Sequence, residues 1–349
     1  MKPSKMLTVF LITLVMQLCL DNSIFAQRVV ASIPVGDFPR GVAVNRLTNR
    51  IYVANEFGHF IPPSTETPNT VSVIDGSHNR VIDEIVTGRD FQIGLGLDEF
   101  RNLIYVATLD SGVDVLDGKT DTVITNIPVG NEPVFPGVNP FTQSVYVSNR
   151  LGWLSLLDED ENNIVATIPL GGGPNITEPE GVAVDPITNR VYVANFEPAG
   201  SVWVIDGRTN TLVATVPVGD SPFGIAVNLL TRRVYVANSC EAAGPVVRSC
   251  QHILSVIDER TNKVIASVPV ADRPVYVAVD ELRNRIYSCN IGNIGSFNLS
   301  IIDGKNNGVL ASVPLAGAYC GGLAVNTFRN LIYVSDDNTN SLIVFRGPR

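Results

Sequence analysis

The sequence predicts an all-β fold in which one four-strand unit is repeated seven times, and three observations support this. A tyrosine-centred phrase such as "RIYVAN" or "RVYVAN" recurs at intervals of 41 to 53 residues. Three other short apolar phrases accompany each copy in a fixed order, and the first and last units are incomplete in complementary ways. Self-similarity at such a period is typical of repeat architectures. The tyrosines are Tyr52, Tyr105, Tyr146, Tyr192, Tyr235, Tyr287 and Tyr333.

The four phrases of a unit predict four consecutive strands, A to D. Strand A reads like "GVAVN", strand B contains the tyrosine, strand C reads like "VSVIDG" and strand D like "VVATIPVG". Runs of Val, Ile, Ala and Tyr with little polar alternation indicate that A, B and C are buried on both faces. Strand D ends in proline, which lacks the N–H of an inner ladder, so we expect D at the sheet edge.

The chain ends predict how the ring closes. After Tyr333 the last unit supplies only "SLIVF", a strand C, whereas "RVVASIPVG" near the N-terminus reads as a strand D without its own A, B and C. We therefore expect a seven-bladed β-propeller of four-stranded antiparallel blades, with the last blade closed by the N-terminal strand.

Residues 28 to 349 resemble the YVTN-type β-propeller repeat family of exported bacterial and archaeal proteins, named for strands like "YVAN". The resemblance implies the fold. It implies little about function, because propellers serve as binding scaffolds, lyases, lactonases and subunits of redox complexes.

Two regions follow. Residues 1–26 read as an export signal, with Lys2 and Lys5, an apolar run from Met6 to about Leu20, and Ile24 and Ala26 spaced as at a signal-peptidase site. A membrane anchor would need a longer run, and a lipoprotein site at Cys19 would need a small residue at Leu18. Residues 27–349 are expected to form one propeller domain in the periplasm or outside the cell, with no membrane span after signal removal.

Charge excludes one class of partner. The net charge of −9 and the isoelectric point near 4.9 argue against nucleic acid, which requires clustered Lys and Arg. A protein or a surface polymer is the expected partner, and the chain would fit as a subunit of a larger complex.

Loop lengths indicate which side of the disc carries function. The A–B turns, as in "NRLTNR", have one length, and most C–D turns begin with Asp-Gly; both read as tight turns explained by backbone geometry. We call this side the turn face. The B–C and D–A loops form the opposite side, the loop face, and the B–C loops vary most in length. Variation confined to one side predicts that the loop face binds.

The four cysteines of the mature chain are expected to be paired after export. Four cysteines allow three pairings, and we favour Cys240 with Cys250 and Cys289 with Cys320. The alternative of a metal site from Cys240, Cys250 and His252 matches no usual zinc spacing. With only three histidines, His59, His78 and His252, no metal site is predicted, and no cofactor either.

A ring of Asn and Asp ends strand A in every unit and could line one channel mouth as a cation site, but serving each turn locally explains it better. The Asn residues that end strand B are expected to cap the following loops. The ring consists of Asn45, Asp98, Asn139, Asp185, Asn228, Asp280 and Asn326, and the strand-B set of Asn55, Asn149, Asn195, Asn238 and Asn290.

Residues that break the sevenfold pattern are the candidate binding residues. Before the glycine position of strand A, Arg40, Glu180 and Phe223 stand out and would line the other mouth, either as a small polar ligand site or as solvated rim. Aromatic residues in or beside the loops are candidate contacts for a macromolecule. They are Phe57, Phe60, Trp153, Phe196 and Tyr319.

Three functions remain open at this point. The leading one is a non-catalytic exported scaffold that binds through the loop face. The alternatives are a lactonase-like or lyase-like enzyme using the channel mouth, and a binder of small ligands there. The shortage of histidines and of an asymmetric acid–base pair in strand A disfavours the enzyme, so no catalytic residue is predicted.

Overall fold

The computed structural model describes residues 28–57, 68–88, 91–109, 112–130, 132–170, 178–240, 251–292, 297–315 and 319–348. Every regular element of these residues is a β-strand, and the strands form seven four-stranded antiparallel sheets, the blades. None of the described segments contains a helix of the length and apolarity needed to span a membrane. The predicted signal, residues 1–26, lies outside the described residues.

Blades 1 to 6 each consist of four strands consecutive in the chain. Blade 1 contains β2 (Asp37–Asn45), β3 (Arg50–Phe57), β4 (Thr70–Asp75) and β5 (Arg80–Val86). Blade 2 contains β6 (Gln92–Asp98), β7 (Leu103–Thr108), β8 (Gly112–Asp117) and β9 (Thr122–Ile127). Blade 3 contains β10 (Pro133–Asn139), β11 (Ser144–Asn149), β12 (Trp153–Asp158) and β13 (Asn163–Pro169).

The second half of the ring repeats this order. Blade 4 contains β14 (Pro179–Asp185), β15 (Arg190–Asn195), β16 (Ser201–Asp206) and β17 (Thr211–Pro217). Blade 5 contains β18 (Pro222–Asn228), β19 (Arg233–Asn238), β20 (Ile253–Asp258) and β21 (Lys263–Pro269). Blade 6 contains β22 (Pro274–Asp280), β23 (Arg285–Asn290), β24 (Asn298–Asp303) and β25 (Gly308–Pro314).

Blade 7 joins the two ends of the chain, as the sequence predicted. It contains β26 (Cys320–Asn326), β27 (Leu331–Asp336) and β28 (Ser341–Arg346), with β1 (Arg28–Pro34) as its outer strand. The pairing runs from Val29 opposite Phe345 to Pro34 opposite Ser341. The Asn340 side chain donates to Asp37 at 2.5 Å and accepts from the Phe38 N–H at 3.1 Å, so side chains also tie blade 7 to blade 1.

The hydrophobic core lies between neighbouring blades. Strands B and C are buried almost throughout, and the tyrosines of strand B are at most 1% exposed. In the layer between blades 1 and 2, for example, Tyr52, Val71 and Val73 pack on Ile104, Val106 and Leu116. Strand D is exposed along most of its length, which confirms its position at the blade edge.

Strand A corrects one expectation. It alternates between buried and half-buried residues, as in blade 1, rather than being buried throughout. The reason is its position: one side packs on the neighbouring strands A, while the other faces the central channel and its cavities.

The Asp-Gly turns between strands C and D correct a second one. The aspartates act as expected, since Asp117 accepts the N–H of Lys119 at 2.7 Å. The glycines, however, do not have positive φ; that conformation belongs to a residue three positions later, such as Asp121. Glycine is needed because a Cβ at Gly118 would collide with the Tyr52 hydroxyl of the preceding blade and with Asn102.

Candidate binding site at the channel mouth

The loop-face mouth of the channel is shaped by an irregularity near the start of every strand A. The A–B pairing shifts register there in each blade, as between Pro39 and Val42 in blade 1 and between Pro222 and Ile225 in blade 5. Bulges of this kind redirect side chains and are common beside functional sites. The predicted residues Arg40, Glu180 and Phe223 all lie within these shifts.

Glycine follows the rim position because neighbouring strands A approach closely there. A Cβ at Gly181 would collide with the carbonyl of Phe223 in the next blade, and one at Gly322 with the carbonyl of Arg40. Five blades have glycine here, whereas blade 3 has Phe135 and blade 6 has Tyr276. Two large rings therefore enter the channel where the other blades contribute no side chain.

The rings of Phe135 and Tyr276 meet Phe223 across the channel. The centroid of Phe223 lies 5.6 Å from that of Phe135 and 5.6 Å from that of Tyr276, with near-perpendicular planes in both pairs. Phe135 and Tyr276 are 6.5 Å apart. Such edge-to-face contacts are favourable beyond the area they bury. The three side chains, which we call the aromatic floor, lie between a cavity at the mouth and another deeper in the channel.

Arg40 lies across the junction between blades 1 and 7. Its Nε donates to Glu56 at 2.8 Å and its Nη1 to Asp337 at 3.2 Å. Burial raises the pKa of Asp337 to about 6, since it outweighs the attraction of Arg40, and the nearby Asp336 and Glu56 add to the shift. The two carboxylates thus share one guanidinium.

Glu180 forms the second charged pair of the mouth. Its Oε1 accepts from Nε of Arg150 at 2.9 Å, and the Glu180 side chain is only 2% exposed. Burial raises its pKa to about 7 despite Arg150. Oε2 of Glu180 is buried and has no hydrogen-bond partner within the described part of the chain. Arg150, which the sequence did not single out, is 30% exposed at the cavity.

These groups surround a cavity of about 330 Å³. Phe223 and Tyr276 form its base, and Arg40, Glu56, Gln92 and Arg150 contribute polar groups. A concave site with an aromatic surface and a few convergent polar groups is typical of small-molecule pockets. Guanidinium groups here can bind a carboxylate or another oxyanion, and the rings can stack on a planar body.

The predicted loop aromatics are half-buried where the structure describes them. Phe196 packs edge-on against Phe223 at 6.2 Å, and Tyr319 against Phe297 at 5.5 Å. Trp153 begins strand C of blade 3 and is half-buried. Phe196 thus extends the aromatic floor instead of standing free as a macromolecular contact. Phe60 and the side chain of Phe57 lie outside the described residues.

The cysteines bear out one pairing. Cys289 and Cys320 form a disulfide that links blades 6 and 7, with Cα atoms 6.4 Å apart, and Cys320 lines the mouth cavity. Cys240 is also disulfide-bonded. Its predicted partner Cys250 lies outside the described residues, so that pairing stays a prediction.

The histidines lie apart from one another. His252 accepts the N–H of Arg273 through Nδ1 at 3.0 Å, while His78 contacts Asp75 in a C–D turn on the turn face. His59 lies outside the described residues. Within the part of the chain that the structure describes, no three His, Cys, Asp or Glu side chains cluster as a metal site.

The ring of Asn and Asp at the opposite mouth serves the turns, as predicted. Asn45 accepts the N–H groups of Leu47 and Thr48 at 3.0 Å each, and Asp98 does the same for its turn. A further role was not predicted: the asparagines also donate to the next blade. At 2.7 to 3.0 Å, Asn45 donates to Asn102, Asn139 to Asn189, Asn228 to Asn284 and Asn326 to Asn49.

The asparagines that end strand B hold the ends of the B–C loops together. Asn290 donates to the carbonyl of Asn298 at 3.1 Å and to Ser300 at 2.9 Å, both in strand C of the same blade. Asn238 similarly bonds Ile253 and Ser255. Their side-chain bonds among the described residues therefore connect strands B and C at the base of the loop.

Comparison with known proteins supports the fold alone. No family model and no curated protein matches the chain, so the resemblance to the YVTN-type family is not confirmed. Among solved structures, hydrazine synthase of Kuenenia stuttgartiensis is similar with a TM-score of 0.75 and 17% identity, over 90% of this chain and 96% of that one. The β-propeller domain of Myceliophteria thermophila Cps50 (Swd1) has a TM-score of 0.69 and 12% identity, over 91% and 99%.

Proposed function

We propose that the protein is an exported, non-catalytic propeller that binds a protein or a surface polymer through its loop face, as a subunit of a larger assembly. Residues 1–26 would direct export and residues 27–349 form the propeller domain. The disulfide between Cys289 and Cys320 fits an oxidising compartment. The two similar solved structures, one of an enzyme and one of a propeller domain, are compatible with several roles for this fold.

The observation that carries the proposal is the asymmetry of the loop face. Arg40, Glu180 and Phe223 occupy equivalent positions in three blades, yet each makes a different set of contacts. The turn face instead repeats the same turn around the ring. A non-repeating surface gives an asymmetric partner a single way to bind, whereas identical blades would offer it seven equivalent registers.

Charge indicates the chemistry of the partner. Carboxylates outnumber guanidinium groups among the described residues of the loop face, where the basic residues are Arg40, Arg150 and Arg273. The acidic ones are Asp37, Glu56, Glu132, Glu178, Glu180, Glu197, Asp220, Asp272, Asp336 and Asp337. A basic protein surface or a cationic polymer complements this face better than an acidic one.

The test compares charge reversals on two surfaces. Glu132→Lys with Glu197→Lys alters the loop face, and Asp83→Lys with Glu84→Lys makes the same charge change on the outer strand of blade 1. Partners would be captured by crosslinking in native periplasmic and surface fractions and identified by mass spectrometry. We expect a specific partner to be lost with the first variant only. Equal capture by wild type and both variants would contradict the proposal.

A second candidate function is binding of a small polar ligand, favoured by the aromatic floor beneath Arg150. Calorimetric titration with benzoate and benzylammonium, compared between wild type and Arg150→Met, tests it. Binding of benzoate that the variant loses would support a site for planar carboxylates. Absence of heat with both probes at millimolar concentration would count against it.

A further inference from the structure

The turn face exposes one large apolar side chain in every blade. Each is the second residue after the Asn or Asp that ends strand A, so all seven occupy the same position of the A–B turn. We call this set the apolar crown. It consists of Leu47 (56% exposed), Phe100 (65%), Phe141 (62%), Ile187 (67%), Leu230 (67%), Leu282 (60%) and Phe328 (57%).

The turns hold the crown residues in place. The N–H of Phe100 donates to Asp98 at 2.7 Å, that of Ile187 to Asp185 at 2.8 Å and that of Leu230 to Asn228 at 3.1 Å. Since the crown residues share one turn and the turns are joined between blades by asparagine side chains, their side chains project from equivalent points around the channel. Unlike the half-buried aromatics of the loop face, they have no covering loop among the described residues.

Four arginines beside the crown are paired with carboxylates of the chain, whereas Glu281 and Arg329 make no ion pair among the described residues. Arg46 bonds both oxygens of Glu99 at 2.7 and 2.8 Å, and its guanidinium lies 5.6 Å from the ring centre of Phe328. Other pairs around the ring join Arg101 to Glu159, Arg232 to Glu259 and Arg283 to Asp280, at 2.7 to 3.2 Å. A partner that covered this face would therefore not deprive these guanidinium groups of their carboxylate partners.

The turn-face end of the channel holds a cavity of about 400 Å³, which the charged side chains of Arg46, Glu99 and Glu281 line together with apolar ones. Val44, Leu97, Val138, Val184 and Val227 line it. With roughly 100 Å² exposed on each crown residue, the seven together expose an apolar area of about 700 Å², which is large for the surface of a monomer. It approaches the roughly 800 Å² per partner of a standard stable interface.

We propose that this face binds a second copy of the chain, so that two propellers stack head to head through their apolar crowns. A twofold axis perpendicular to the channel brings the crown of one copy onto that of the other. Each crown has an apolar residue at every one of seven equivalent positions, so apolar groups meet apolar groups in any rotational register. Such an isologous contact is the commonest in soluble oligomers.

The stacking would leave both loop faces free on opposite sides of the dimer. The inference therefore does not depend on which partner the loop face binds. A dimer of this kind would present two equivalent loop faces and bind a multivalent partner with increased avidity.

Sedimentation equilibrium of the mature protein tests the stacking. We expect twice the chain mass at micromolar concentration, and at least a ~100-fold weaker association in Phe100→Asp with Leu230→Asp, which buries carboxylates on opposite sides of the crown. The matched control, Val165→Asp with Val213→Asp, places the same charges on exposed apolar positions of strands D and should stay dimeric. If the aspartate variant fails to fold, the milder variant Leu47→Ser with Phe328→Ser replaces it. This variant should weaken the dimer to a smaller degree.

Three outcomes would overturn the inference. The first is a wild-type protein that stays monomeric up to about 100 μM, because so weak an association would not indicate a specific interface. The second is a folded crown variant that dimerises like the control. The third is a monomer that floats with phosphatidylcholine vesicles and loses this property with the crown residues, which would assign the face to lipid.

Discussion

At the scale of single residues, several residues that recur in every blade make important contacts with the neighbouring blade as well as within their own. Gly118 is an example, because its neighbours are the tyrosine hydroxyl and the turn asparagine of the preceding blade. Asn45 is another, since one side chain caps its own turn and donates to Asn102 of blade 2 at 2.7 Å. A residue that recurs in every blade can thus serve both its own turn and the joint between blades.

Replacing Gly118 by alanine tests this role of glycine. A Cβ at Gly118 would collide with Tyr52 and Asn102, so we expect a loss of about 1–3 kcal/mol in the free energy of unfolding from overpacking. Gly308→Ala is the control, since its Cβ would approach only Asn306 of its own turn, at 3.0 Å. Urea unfolding of both variants measures the difference. Equal stabilities would show that the packing between blades tolerates a Cβ at Gly118.

Glu180 predicts a dependence of stability on pH. The folded protein holds its proton up to about pH 7, whereas the unfolded chain releases it near 4.5. The folded state binds more protons between these values, so stability falls as pH rises from about 4.5 to 7. Asp337 and Glu159, with pKa values raised to about 6 and about 7, act in the same direction.

Glu180→Gln should reduce that pH dependence. The amide cannot ionise, so the fall in stability between pH 5 and pH 8 should shrink by an amount on the order of 1–3 kcal/mol. Urea unfolding at several pH values measures it, with Glu84→Gln on the exposed outer strand of blade 1 as the control. An unchanged slope in Glu180→Gln would show that this carboxyl is ionised throughout.

At the scale of elements, the lengths of the connections differ between blades mainly on the loop face. Blade 4 joins strands B and C through residues 196–200, and blade 5 through residues 239–252. The bases of the two loops make matching backbone bonds. Phe196 and Ser239 each donate to the preceding D–A segment at 2.9 Å, and Gly200 and His252 accept from Val218 and Val270 at 2.9 and 3.0 Å.

We therefore expect residues 239–252 to be replaceable by the "FEPAG" of residues 196–200. The matching bonds should keep the melting temperature close to that of the parent, while partner capture should fall far more, since an interface depends on a few central contacts. Arg208→Lys, at a 72% exposed side chain in a C–D turn of the turn face, is the control and should alter neither property. Unfolding of the loop variant would show that the long loop belongs to the core packing.

The disulfide predicts a second effect at this scale. Cys289 and Cys320 are 31 residues apart and close the loop that spans strands C and D of blade 6. In the chain-entropy account, removing the bond by Cys289→Ser with Cys320→Ser should lower stability by about 3–4 kcal/mol. The exported wild type should contain no free thiol, with Cys240 linked to Cys250. Four thiols that titrate in native exported protein would contradict both pairings.

At the scale of the whole molecule, closure depends on the N-terminal strand. Ile33 and Val35 are buried against Leu342 and Val344, and β1 covers the edge of blade 7. Removing residues 28 to 35 should expose that edge and destabilise the ring by more than about 4 kcal/mol, through the loss of a core strand. A truncated protein that melts within a degree or two of the parent would refute the role of this strand in closure.

The sequence by itself determined the strand order, the seven blades, the outer position of strand D and the closure by the N-terminal strand. These follow from local patterns that recur in every unit: apolar runs for buried strands, proline for an edge, Asn and Asp for turns. It also located Arg40, Glu180 and Phe223, because each departs from the repeat at one position. Phe135 and Tyr276 replace the repeated glycine and were detectable by the same comparison one position later.

Only the tertiary structure decided what these residues contact. Arg150 pairs with Glu180 across two blades, and Asp337 reaches Arg40 from the far end of the chain. The sequence shows one Leu, Ile or Phe in each A–B turn, but it does not show that these side chains are exposed. The physical reason is that a repeat fixes each unit's own backbone, whereas burial, charge pairing and exposure depend on the distance between units that are remote in sequence and adjacent around the ring.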